Sequence, residues 1–199
     1  MSEKKTADRS TLKTKNAIRN ALAEFLKEKE LSRITVQEIV DKADISRVTF
    51  YKYYLDVYDL YEQIEKELLV STGLIVLELT EGTTDNFFRQ LIEYIYENRI
   101  TFGMVFSTNG TNKLRDKLCK LIEGTFRKIY SERSGVSINE KDIIYMCCYR
   151  ANGAISIIEK WVQSSFQDPC ENIVKPLIIL DKLIDGYFFS LSGEEVHCI

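Results

Sequence analysis

The chain has 199 residues, 45% hydrophobic and 29% charged, with two prolines, nine glycines and a formal net charge of −3. That length suits one two-part helical protein or two small domains with a sizeable core, and the scarcity of Pro and Gly argues against turn-rich sandwiches and barrels. No apolar run of about eighteen residues and no leader pattern is present, so no membrane partner is expected and a cytoplasmic location is.

The first nine residues read as a polar, frayed lead. A helix is predicted over 10–29, with Ile18, Ala21, Leu22, Phe25 and Leu26 forming one apolar stripe. Three short helix starts follow. Thr35 with Glu38 makes a capping box, and Ile34 with Ile39 the hydrophobic staple around it. Ser46 caps the next helix, stapled by Ile45 and Phe50. Asp56 caps the third, with Asp59 in its first turn and Leu55 and Leu60 as staple. Only Ala43-Asp44-Ile45 joins the second helix to the third, which forces a steep crossing of the helix-turn-helix kind. A helix over 46–54 is too short to stand alone and needs packing to hold it. Ile45, Phe50 and Tyr54 face inward in this reading. Arg47, Val48, Tyr51 and Lys52 then face outward, with Thr49 and Tyr53 at the margin.

One long helix is predicted over 56–79 with Leu60, Ile64, Leu68, Ile75 and Leu79 on its core stripe, and the break at 81–85 ends it. Further helices are expected near 85–100, 111–133, 139–165 and 169–188. The stretch 102–110 is ambiguous between a short helix and a loop. Asp168 and Pro169 read as cap and first turn of the last helix, which Pro176 either kinks or truly starts. The fold class is therefore all-α. Residues 1–55 form a three-helix helix-turn-helix domain, and residues 56–199 a helical domain for dimerisation and effector binding.

Charge is unevenly spread. Residues 1–55 hold 12 basic and 8 acidic side chains, whereas residues 56–199 hold 15 and 22. Lys4, Lys5, Arg9, Lys13, Lys15 and Arg19 all fall in the first 22 residues. A cationic front on an acidic body can meet phosphate at one end, although a solvated charged helix has the same composition. Cys119, Cys147, Cys148, Cys170 and Cys198 are irregularly spaced and read mainly as buried, reduced thiols, with redox sensing as the lesser reading. The single histidine is His197. No metal site, no cofactor and no nucleophilic catalytic set can be assembled from these residues, so an enzyme is not expected.

An outward face of Arg, Thr, Tyr and Lys has the chemistry to read DNA: Arg or Lys donates to guanine, Thr meets the thymine methyl, and Tyr reaches phosphate. Thr35 and Ser46 at helix starts offer hydroxyls beside free amides, a seat for phosphate. On the residues alone, an ordinary helical corner fits as well. The ordered set Thr35-Val36-Gln37-Glu38-Ile39-Val40, Ala43, Ile45-Ser46, Thr49-Phe50-Tyr51, Tyr54 and Asp59-Leu60 resembles the DNA-binding domain of the TetR family over residues 12–60. The resemblance implies a homodimeric regulator binding a palindromic operator in double-stranded DNA, with a C-terminal domain that often encloses a ligand pocket. It implies phosphate contact by Thr35 and operator contact by Arg47, Thr49, Tyr51, Lys52 and Tyr53, and Ser46 and Val48 on the same face complete the expected DNA-binding set. Val48 stands where a Gly is common. Val57 stands where a Lys common in the family would contact phosphate, a role left to Lys52 or the basic lead. These departures and the acidic body leave a second reading, a protein–protein adaptor with the same fold and weakened DNA binding.

Residues 85–165 more loosely resemble a branch that includes regulators of dihydroxyacetone kinase operons, through Tyr94-Ile95-Tyr96-Glu97-Asn98-Arg99, Gly153-Ala154-Ile155 and Trp161. In that branch the effector is a partner protein or a small molecule. Gly153 in mid-helix costs about 1 kcal/mol against Ala, which close approach by another helix would explain. Ile144, Cys148, Ala151, Gly153, Ile155, Ile158 and Val162, with Ile173, Leu177, Leu180 and Ile184, are expected at a dimer face; core packing is the alternative. Tyr94, Arg99, Phe102, Tyr145 and Tyr149 are candidates to line an effector pocket, and a buried Arg99 or Arg150 to anchor an anion.

Overall fold

The computed structural model describes residues 2–78, 84–107, 109, 111, 113–133 and 140–192. Among them the regular structure is entirely helical: α1 (Ser2–Phe25), a 3-10 turn (Leu31–Arg33), α2 (Val36–Ala43), α3 (Arg47–Tyr51), α4 (Val57–Glu78), α5 (Thr84–Glu97), α6 (Arg99–Val105), α7 (Lys113–Arg133), α8 (Glu140–Gln163) and α9 (Cys170–Ser192). The expected break at 81–85 falls largely outside the described residues, as do Leu79, His197 and Cys198. α1 begins at Ser2 instead of near Ser10, so the polar lead is helical. It ends at Phe25, and residues 26–29 continue as turns. The stretch 102–110 resolves into α6 and the turn after it. α9 runs through Pro176, which neither starts nor stops it.

The chain divides into two compact units, residues 1–68 with 99–112 and residues 69–98 with 113–199. The first unit holds the helix-turn-helix and, beyond the division expected at residue 55, the start of α4 and all of α6. Ile18 and Leu22 of α1, Leu26 just after it, Ile39 and Val40 of α2, Phe50 of α3 and Leu60 and Ile64 of α4 are buried there. Residues after α6 are fastened to this unit by specific bonds. Asn109 O accepts from the Leu31 amide at 3.2 Å, and Asn109 Nδ2 donates to Leu26 O at 3.0 Å. Thr111 donates through its amide to the Tyr61 hydroxyl at 3.1 Å and through Oγ1 to Glu65 at 2.7 Å. That second bond satisfies a carboxylate that is otherwise buried, which would be costly unpaired.

The second unit packs α5, α7, α8 and α9 around Phe87, Phe88, Ile92, Ile122, Phe126, Cys147, Ile155, Ile158 and Trp161. Trp161 donates from Nε1 to the Asp168 carbonyl at 2.8 Å, which closes the corner between α8 and α9. Asp168 thus serves through its backbone, whereas the sequence reading gave its side chain the capping role. At the centre lies Arg150. Its Nε donates to Asp181 Oδ1 at 3.0 Å, its Nη1 to Asp185 Oδ1 at 2.6 Å, and its guanidinium sits 3.9 Å from the Phe126 ring centroid. The Tyr130 hydroxyl donates to the same Asp185 oxygen at 2.5 Å.

Candidate nucleic-acid interface

The three caps inferred from spacing are present as hydrogen bonds. Thr35 Oγ1 accepts from the Glu38 amide at 3.3 Å while Glu38 Oε2 accepts from the Thr35 amide at 3.0 Å, a complete capping box. The Lys29 ammonium lies 2.5 Å from Glu38, and this bond, followed by those from Thr35, holds the Glu38 carboxyl at about 2, so the box is fully charged at neutral pH. Ser46 Oγ accepts from the Thr49 amide at 3.1 Å, and Asp56 Oδ1 from the Asp59 amide at 2.8 Å. Asp59 returns the favour by accepting from the Leu55 amide at 2.8 Å. The hydroxyls of Thr35 and Ser46 are therefore already engaged in local bonds. That leaves them less open as phosphate seats than their positions alone suggested.

Burial agrees with two of the three staples. Ile34 and Ile39 are buried, and Ile45 is half-buried while Phe50 is fully buried. Leu55 departs from expectation: it is 79% exposed, so Leu60 packs without it. The Asp59 bond to the Leu55 amide fixes the backbone there and leaves the side chain in solvent. Val57, the first residue of α4, is buried. A lysine's position at the phosphate surface is therefore replaced by a core contact.

The α2–α3 turn is closed by Asp44 at φ 53°, ψ 51°, with the Ile45 amide donating to Val40 O at 3.1 Å. Left-handed backbone is tolerable for Asp and costly for a β-branched residue. Asp44→Val is expected to destabilise the chain by about 1–2 kcal/mol, and Asp44→Gly to leave it level or slightly better. Urea midpoints of the three proteins check the order.

α3 has one buried anchor, Phe50, whose ring lies 5.7 Å from that of Tyr54 just beyond the helix. Burying a ring of that size stabilises by roughly 1.5–3 kcal/mol, which mounts a helix of only five residues. Arg47, Val48, Tyr51 and Lys52 are exposed, and Thr49 and Tyr53 are half-buried, as the pattern implied. Lys15, from the basic lead, and Gln37, given no contact role from sequence, join this surface. Lys15 of α1 lies 5.8 Å from the Tyr53 ring centroid, and Lys52 lies 5.6 Å from the same ring. Gln37 of α2 accepts from Arg47 Nε at 2.6 Å. Nothing in the periodicity links α1 or α2 to these positions; only the fold does. The Lys4, Lys5 and Arg9 side chains lie outside the described residues.

The C-terminal candidates are rearranged. Ala151, Ile155, Ile158, Val162, Ile173 and Leu177, expected at a dimer face, are buried within the chain itself. Their helical spacing marks a packed face, and the neighbouring helices of the same unit already fill it. Cys148, Gly153 and Leu180 are exposed, and Ile144 and Ile184 half-buried. Cys148 thus departs from the buried-thiol reading that Cys119 and Cys147 fit. A Cβ placed on Gly153 would meet nothing within 4 Å, so no helix of the chain itself approaches it. Beside these residues Tyr145, Tyr149, Leu183 and Tyr187 are also exposed, Tyr149 at 69% and Leu183 at 65%. A groove of about 380 Å³ runs between α8 and α9 here, with Asn152, Gly153, Leu177 and Ile184 among its walls.

The effector candidates differ in burial and are divided between the two units. Arg99 is exposed and Phe102 is buried against Phe106 in the first unit, while Tyr94 is half-buried in the second. Tyr145 and Tyr149 stand on the outer face of α8. Arg150 is buried as expected, but Asp181 and Asp185 take up its charge, so it holds no anion. Among the described residues no cluster of His, Cys, Asp and Glu is arranged to hold a metal ion. No described helix is long and apolar enough to cross a membrane.

A family model for the TetR type, described as the C-terminal region of transcriptional regulators, matches residues 82–182, just over half of the chain. The chain belongs to the TetR family. Like other TetR-family regulators it is a transcription regulator and not an enzyme. A TetR regulator from Streptococcus agalactiae 2603V has a similar structure over 88% of this chain and 97% of its own, with a TM-score of 0.58 and 20% identity. The dihydroxyacetone kinase operon activator DhaS matches 84% of this chain and 93% of its own, with a TM-score of 0.54 and 19% identity. The fatty acid degradation regulator FadR from Bacillus halodurans matches 82% and 92%, at 0.60 and 15%. These likenesses establish the all-helical TetR fold. In sequence, the uncharacterized HTH-type regulator YxbF of Bacillus subtilis (strain 168) is 32% identical over 56 residues, which are 28% of this chain and 15% of that protein.

Proposed function

We propose that two copies of this TetR-family chain bind a palindromic operator in the cytoplasm, each placing α3 in the major groove of one half-site. The observation that carries this reading is the mounting of α3. A five-residue helix is capped at Ser46 and pinned by Phe50, and it presents Arg47, Val48, Tyr51 and Lys52 to solvent. Lys15, Lys52 and Tyr53 beside it supply cations and a hydroxyl for the backbone. Residues 1–55 act as the reading head. Residues 56–199 dimerise and respond to an effector, a small molecule or a partner protein.

The dimer reading is supported by the exposed apolar strip on α8 and α9. Tyr145, Tyr149, Leu180, Leu183 and Tyr187 line two successive helices, a surface that a lone soluble chain rarely leaves open. Gly153 lies in the same strip with room for another backbone to approach. Two reading heads then meet half-sites about 34–36 Å apart, one turn of the duplex.

A gel shift on the intergenic DNA beside the chain's own gene tests operator binding. The Arg47→Ala and Lys52→Ala double variant is expected to lose specific binding, with each lost base contact costing about 1–3 kcal/mol. Equal binding by wild type and double variant would remove the assignment of α3. Wild-type affinity that ignores salt would favour the adaptor reading, because phosphate contacts release counterions and weaken steeply as salt rises.

A further inference from the structure

The guanidinium at the start of α3 is held from below by a second helix. Arg47 Nε donates to Gln37 Oε1 at 2.6 Å, and Gln37 Nε2 donates to Asp41 Oδ1 at 2.6 Å. Gln37 and Asp41 are four residues apart on α2, so they stack on one face of it. All three side chains are exposed. Packing does not force them together; the chain of two hydrogen bonds does. A carboxylate at its end orients the carboxamide, because Asp41 accepts only from the NH₂ side, which turns Gln37 Oε1 toward Arg47.

The consequence lies in which donors remain. Arginine has five N–H groups in a fixed planar fork, and this arrangement spends the one on Nε. The four on Nη1 and Nη2 are not used by that bond. An end-on pair of such N–H groups matches the O6 and N7 acceptors that guanine shows in the major groove. A free arginine would have to give up much of its rotamer freedom to reach that pose, and here part of that cost is met before DNA arrives.

We propose that Gln37, oriented by Asp41, is a positioning residue that aims Arg47 end-on at a guanine in each half-site. The inference rests on the reading that α3 enters the major groove. It assigns Gln37 no base of its own.

The test uses the full chain and half-site preferences obtained by selection from a random duplex pool, followed by competition with every single-base variant of the selected site. Arg47→Ala is expected to reduce discrimination at one G·C pair by about 5- to 150-fold, the range for a bidentate base contact. Gln37→Ala is expected to relax the same pair by a smaller factor, about 3-fold, and to add nothing in the Arg47→Ala background. Gln37→Glu, which keeps an acceptor for Nε, and Asp41→Asn, which keeps one for Gln37, are expected to retain the preference. A Gln37→Ala protein that relaxes a different pair would show Gln37 reading its own base and overturn the proposal. So would unchanged selectivity, or tighter binding through release of Arg47. If the wild type selects no sequence, or Arg47→Ala leaves every preference intact, the underlying reading of α3 fails instead.

Discussion

Arg150→Ala is expected to destabilise the chain by about 3–5 kcal/mol, among the largest losses available to a single substitution outside the apolar core. The side chains of Arg150 and Asp181 are 2% and 4% exposed, and Asp185 is only partly open. Removing the guanidinium leaves Asp181 buried without a counter-charge and empties the space above the Phe126 ring. Burial already pushes the Asp181 carboxyl above the ordinary carboxylate range, against the pull of Arg150. Without that pull the group would take up a proton more readily still. Arg150→Met with Asp181→Leu is expected to recover much of the loss, because two desolvated charges are replaced by apolar volume. Asp185 retains its bond from Tyr130 in that variant. Denaturant unfolding of both singles and the double gives the coupling directly. Single variants within about 1 kcal/mol of wild type would mean that water reaches the pair and screens it.

The N-terminal unit was largely legible before any coordinates. Caps are local: Thr35 and Glu38, Ser46 and Thr49, Asp56 and Asp59 each lie three residues apart, so spacing alone predicts the bond. The outward face of α3 followed because Phe50 and Tyr54 had to face inward on so short a helix. Leu55 misled because a staple needs tertiary contact, and apolar character does not guarantee one. The C-terminal unit was legible only as helices. Ala151, Ile155, Ile158 and Val162 repeat at helical spacing whether a partner chain or the same chain covers them, and periodicity carries no label for which. Arg99 and Arg150 look alike in sequence, and nothing in it marks that Arg150 meets two aspartates 31 and 35 residues further on. The bond from Arg47 to Gln37 spans ten residues across a turn and has no periodic signature at all.

Charging the outer face of α8 and α9 separates a dimer from a monomer with an exposed apolar strip. Tyr149→Glu with Leu183→Glu is expected to convert the protein to monomer in sedimentation, since each interface would then bring four carboxylates into an apolar setting. Both residues are exposed within the chain, so the fold itself should tolerate the change, and helical content by circular dichroism should stay level. Operator affinity is expected to fall about 10²- to 10⁴-fold, the gain that linking two modest half-site contacts provides. Leu74→Glu on α4 supplies the control. Leu74 is an equally exposed leucine on another helix of the second unit, and its charge should leave both assembly and binding unchanged. If the double variant remains a dimer while Leu74→Glu becomes a monomer, the partner meets α4, and the strip carrying Gly153 needs a different occupant.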